Sequence, residues 1–117
     1  MGIFSKKKKD AASDVIGSQL NVSSSKDGAE YTFELEGRLD TNTSPEFEGK
    51  VNEVVGDAEK LILDFSKLDY ISSAGLRVLL GTAQAMDGKG ELVIRNLSQP
   101  VQEVFELTGF NNLFHIE

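Results

Sequence analysis

The sequence predicts an α/β domain: a mixed sheet of about four to five strands covered by about three to four helices, in the order β-β-α-β-α-β-α-β. Three observations carry this. Short apolar or alternating runs recur between segments whose apolar residues repeat with a helical period. Asp27-Gly28 separates the first two runs and marks an opening antiparallel hairpin. The later strands are each separated by a helix, so they pair in parallel through right-handed crossovers.

The elements follow in order. Leu20 and Val22 alternate with polar residues as a short edge strand. Tyr31, Phe33 and Leu35 alternate with Thr32, Glu34 and Glu36, a strand with one buried face, and Gly37 ends the alternation. A first helix is expected to start at Thr43-Ser44. Both can cap it, Pro45 suits the first turn, and Glu46 stands three residues after Thr43, as in a capping box. Phe47, Val51, Val54 and Val55 fall on one helical face, and Gly56 closes it. Leu61-Ile62-Leu63-Asp64-Phe65 reads as a central strand covered on both faces. After a short loop come Tyr70-Ile71 and a Ser72-Ser73-Ala74-Gly75 turn that opens a second helix. That helix carries Leu76, Leu79, Leu80 and Ala83 on one face, and Gly88-Lys89-Gly90 breaks it. Leu92-Val93-Ile94 is another buried strand. A third helix begins near Ser98 and Pro100, with Val101, Val104 and Phe105 inward, and ends at Gly109. Phe114 and Ile116 flank His115 in a last short strand.

The 117 residues suit one domain, expected over 18–117, behind a basic tail over 1–17. The absence of cysteine removes disulfides, thiolate metal sites and cysteine nucleophiles. One histidine removes a multi-histidine metal site. Neither metal nor cofactor is expected. No apolar run approaches the roughly 20 residues of a membrane span, and no apolar stretch follows the basic start as a secretory signal requires. The expected location is the cytoplasm. The net charge is −7, and without the four lysines Lys6 to Lys9 it would be −11. Such a globule repels phosphates, so a nucleic-acid partner is not expected and a protein with a basic surface is. For the tail, a solvated terminus is the favoured reading. Membrane contact through Ile3, Phe4 and the lysines is the weaker one. Gly2 is not a myristoylation signal, because position 6 is Lys6. Nothing marks an enzyme. The acidic pair of a phosphoacceptor receiver and a GxxxxGK[ST] loop are both absent, and Asp40 with Asp64 has no accompanying substrate pocket.

The stretch from Leu61 to Leu80 holds the most information. Ser72 and Ser73 stand where a helix begins, facing free backbone N–H groups and the positive end of the helix dipole. A phosphate there would find donors. Phosphorylation would add about −1.5 to −2 charges and could abolish binding by an already acidic contact surface. On these physical grounds alone, a plain serine cap contributing about 1 kcal/mol is the better reading.

The same residues resemble the signature of the STAS domain family, which contains the bacterial anti-sigma factor antagonists. Asp64-Phe65-Ser66, Tyr70-Ile71, Ser72-Ser73-Ala74 and Gly75-Leu76 match its strand end, aromatic-apolar pair, serine turn and Gly-Leu closure. Gly37-Arg38-Leu39-Asp40 resembles the family's G-x-L-D element, and the likeness covers roughly residues 18 to 117. It implies a protein switch and not a catalyst. In such systems the unphosphorylated antagonist binds an anti-sigma factor that is also a serine kinase of the GHKL type, and this frees a sigma factor. The kinase phosphorylates the antagonist's turn, the complex separates, and a PP2C-type phosphatase resets it.

Many relatives read Asp-Ser-Ser-Gly or Asp-Ser-Thr-Gly. Aligned on Gly75, their Asp falls on Ser72, their first Ser on Ser73, and their second hydroxyl residue on Ala74. Ala74 has no hydroxyl, so the resemblance makes Ser73 the first candidate acceptor and Ser72 the second. The expected partner surface is Asp40, Asn42, Ser72, Ser73, Ala74, Gly75, Leu76 and Arg77, with Gln84 further along the helix. Asp40 reads equally as a pocket residue or as an Asx turn, and Arg77 as a contact or a solvated charge. Asp64 and Ser66 are expected to be structural support, Asp64 accepting hydrogen bonds from the following loop or lying at an exposed strand end. The alternative is a STAS adaptor subunit of another complex, in ABC lipid transport or in regulation of secretion or motility, that binds protein without phosphorylation.

Overall fold

A computed structural model describes residues 19–117. The tail expected over 1–17, with Lys6 to Lys9, lies outside the described residues. Strand β1 (Leu20–Asp27) pairs antiparallel with β2 (Glu30–Leu39). Gly28, at φ 63°, turns the chain between them in the left-handed conformation a tight hairpin favours. Helix α1 (Ser44–Asn52) leads to β3 (Lys60–Ile71), and α2 (Ser73–Met86) leads to β4 (Glu91–Arg95). Helix α3 (Gln99–Thr108) and a single 3₁₀ turn over Phe110–Asn112 precede β5 (His115–Ile116). The sheet order is β1-β2-β3-β4-β5, and every pair after the hairpin is parallel. The expected mixed α/β fold is therefore the observed one.

Cross-strand register explains the core. Tyr31 and Phe33 on β2 sit beside Leu61 and Leu63 on β3, which sit beside Leu92 and Ile94 on β4. These residues join one apolar core with Phe47 and Val51 of α1, Leu76, Leu79 and Met86 of α2, and Val101 and Phe105 of α3. Phe47 is fully buried and meets Phe33 edge to face, with centroids 6.3 Å apart. The other side of the sheet carries a polar row: Ser23, Glu34, Asp64 and Arg95 are register partners across four strands. On that side Ile62 and Val93 are buried neighbours, so β3 is apolar on both faces only in part.

Several boundaries differ from the sequence reading. The strand does not stop at Phe65, and the loop expected before Tyr70 is absent, because β3 runs on to Ile71. It accommodates two register shifts against β2, between Glu34 and Glu36 and between Gly37 and Arg38. Bulges of this kind keep a strand paired through residues that no longer alternate. Gly37 does not end β2 either. It adopts φ 113°, and a Cβ there would lie 2.0 Å from the Gln19 carbonyl oxygen. That close approach is the reason for the glycine. Helix α1 stops at Asn52, before Val54 and Val55. The β-branched pair followed by Gly56 favours successive turns there, in which the N–H groups of Val54 and Val55 both reach the Val51 carbonyl. No helix among the described residues is long and apolar enough to cross a membrane.

Phe47→Ala removes a ring from the centre of this core. It should cost about 3–5 kcal/mol, seen as a lower urea midpoint at unchanged slope.

Candidate functional site

Strands β2 and β3 end side by side, and each opens directly into a helix. The Ser72 N–H donates to the Leu39 carbonyl (2.9 Å), so the start of α2 is stitched to the end of β2. The Leu39–Ser44 loop and the Ser72–Gly75 turn are thereby neighbours. Between the two helix starts runs an open groove lined by Thr41, Ser44, Pro45, Glu48, Ala74 and Arg77, with Val78 at its floor.

Asp40 shapes one wall. Its Oδ1 accepts from the N–H groups of Asn42 (2.9 Å) and Thr43 (3.1 Å), an Asx turn leading into α1. Its Oδ2 lies 3.5 Å from Arg38 Nε. Burial opposes ionisation of this carboxyl. The N–H donors of Thr43 and Asn42, the Thr43 hydroxyl and Arg38 together outweigh it and hold the group below its ordinary value of 3.8. The capping box expected at Thr43 and Glu46 does not form, because the Thr43 hydroxyl faces the other way. It accepts from the Asp40 N–H (2.9 Å) and donates to the Arg38 carbonyl (2.8 Å). The Ser44 hydroxyl donates to the Asp40 carbonyl (2.6 Å). The loop is thus rigid, and Asn42 projects from it, exposed.

The second wall is the first turn of α2. Ser72 is the N-cap: its Oγ accepts weakly from the Gly75 N–H (3.4 Å), and the residue is half-buried. Ser73 is the first helical residue and is exposed. Ala74 is half-buried and Arg77 exposed. Gly75 and Leu76 differ from their expected place on the surface. Leu76 is 6% exposed and packs into the core. A Cβ on Gly75 would lie 2.8 Å from Ile71 Cγ1 and 3.0 Å from Leu39 Cγ, so the glycine lets the helix sit down on both strand ends. Gln84 is exposed on the same helix, three turns on.

Asp64 and Ser66 are not part of this groove. Asp64 accepts from the Ser66 N–H (2.9 Å) and from Asn96 Nδ2 (3.1 Å), which ties β3 to the loop after β4. Burial opposes its ionisation, but these donors and the nearby Arg95 hold it below its ordinary value. Asp40 and Asp64 lie at different places along the sheet and form no acid–base pair. Among the described residues, no cluster of three or more His, Cys, Asp or Glu could hold a metal ion.

Two contacts that shape the site are not predicted by the sequence. The Arg38 guanidinium stacks 4.3 Å over the Tyr70 ring, and Tyr70 is 39% exposed. Buried Thr43 holds the loop from beneath. Arg38 and Tyr70 become register partners only through the bulges in β3, which sequence spacing does not reveal.

Two outcomes follow from this geometry. Gly75→Val should lift the start of α2 off Ile71 and Leu39. It should lower stability by about 1–3 kcal/mol and perturb the amide shifts of Leu39 to Thr43 as well as those of the turn. For Asp40, the folded carboxyl ionises below its unfolded value. Its stabilisation is complete above that unfolded value and is lost as pH falls through the folded one. The stability gap between wild type and Asp40→Asn in urea titrations should therefore be full near neutral pH and shrink below about pH 4.

Comparison with known proteins bears on this arrangement. The family model described as "STAS domain" matches residues 22–117, which include both walls of the groove. The Bordetella bronchiseptica protein BtrV, provisionally named an anti-sigma factor antagonist, is 40% identical over 84 residues, covering 70% of this chain and 72% of BtrV. The anti-sigma-B factor antagonist of Staphylococcus aureus is 28% identical over 99 residues, covering 83% of this chain and 92% of that protein. Among solved structures, an anti-sigma factor antagonist from Mycobacterium paratuberculosis superposes with a TM-score of 0.76 at 20% identity, over 83% of this chain and 84% of that one. The family match spans the sheet from Val22 onward, all three helices and the paired helix starts, and by it the chain belongs to the STAS domain family.

Proposed function

We propose that this protein is an anti-sigma factor antagonist whose partner is an anti-sigma factor with serine kinase activity of the GHKL type. In the unphosphorylated state the groove wall formed by α2 and the rigid Asp40 loop bind that partner, and a sigma factor is released. The kinase then transfers the γ-phosphoryl group of ATP to Ser73 Oγ, and ADP leaves. The added charge of about −1.5 to −2 on the contact surface separates the complex. A PP2C-type phosphatase restores the serine.

The likeness to BtrV supports the antagonist role. One structural observation supports the choice of serine. Ser72 is half-buried with its Oγ turned to the Gly75 N–H, whereas Ser73 is exposed, and no hydrogen bond among the described residues engages its hydroxyl. An acceptor must reach a kinase active site, and the exposed hydroxyl meets that need. The domain that carries the switch is proposed to span residues 18–117, in the cytoplasm.

Intact-mass analysis with site mapping, on protein from its native cell, should find phosphate on Ser73. Phosphate on Ser72 would move the acceptor. No phosphate under any growth condition would favour a constitutive STAS adaptor. With the cognate kinase in hand, Ser73→Ala should bind like wild type and Ser73→Asp about tenfold or more weakly. Equal binding by both variants would count against the switch.

A further inference from the structure

Helix α2 carries a single charged side chain, Arg77, and its first turn holds no acid. Arg77 is exposed and, among the described residues, makes no ion pair, hydrogen bond or ring contact, whereas Arg38 and Arg95 are each engaged with a carboxylate. It stands four residues after Ser73, one turn along the same face, where Cβ atoms lie roughly 5–6 Å apart. Long side chains in a helix lean back toward its N-terminus, which is the direction in which Ser73 lies. An anion followed four residues later by a cation is also the more favourable order for such a pair.

We propose that Arg77 is the intramolecular partner of the phosphate on Ser73. This rests on Ser73 being the acceptor. The guanidinium presents a planar fork that matches phosphate oxygens. Phosphorylation then changes the surface twice. It adds a dianion, and it withdraws the one cation that α2 offers to a partner. The groups facing the pair from across the groove are few. Glu48 of α1 lines the groove beside Arg77 without pairing with it, and Asp40 is occupied by Arg38 and the loop N–H groups. In the unphosphorylated state Arg77 is therefore available to an acidic side chain of the partner, and in the phosphorylated state it is not.

The test uses the full chain with phosphoserine installed at position 73 during translation, in wild-type, Arg77→Lys and Arg77→Gln backgrounds. The second ionisation of the phosphate, ordinarily near pH 6, is followed by phosphorus NMR. A neighbouring cation favours the dianion. Wild type and Arg77→Lys should therefore titrate about half a pH unit below Arg77→Gln. The same midpoint in all three would overturn the pairing. Because the phosphate is installed, this readout stands even if the native protein proves unmodified at Ser73, which would sink the switch and leave the pair intact.

Discussion

The geometry of the site depends on a mismatch between two neighbouring strands. From Glu34 to Arg38, β2 advances four residues while β3 advances six, from Asp64 to Tyr70. The surplus is absorbed in bulges, and the ends of the strands come level at Leu39 and Ile71. Only in that alignment can the Ser72 N–H reach the Leu39 carbonyl and two helices start side by side. Gly75 completes the arrangement, since any side chain there would collide with Ile71 and Leu39. The groove is therefore a consequence of strand register, and the apolar packing of α1 and α2 on the sheet holds it in place.

Polarity around the groove is divided between groups that are spent and groups that are free. Asp40, Thr43, Ser44 and Arg38 satisfy one another and the loop backbone, so their chemistry goes into rigidity. Ser73, Asn42 and Arg77 face outward beside them. A rigid frame carrying a few unengaged side chains suits recognition by a protein, because little conformational entropy is lost when the partner docks. On the proposed reading, a phosphate on Ser73 would act on such a frame through its charge.

Much of this was legible in the sequence because it is local. The period of Tyr31, Phe33 and Leu35, the helical spacing of Leu76 and Leu79, and the left-handed stop at Gly109 all express short-range stereochemistry. The serine turn was legible as a motif. Thr43 was misread for a physical reason: a hydroxyl before a helix has two backbone directions to serve, and here the upstream one wins, between Asp40 and Arg38. Leu76 has two readings, inward by its helical spacing and outward by the motif, and the spacing is right, because a motif says which residues recur together and not which way each one points.

The sequence by itself determined the order of elements, the hairpin, the acidic character of the chain and the position of the serine turn. Each of these follows from residue types within a few positions of one another. Tertiary structure decided which hydroxyl is exposed, which arginine is engaged and which residues of the turn belong to the core. Those depend on contacts between Leu39 and Ser72, Arg38 and Tyr70, and Gly75 and Ile71. The first two pairs lie about thirty residues apart and meet only when β2 and β3 are in register, with the bulges of β3 setting that register.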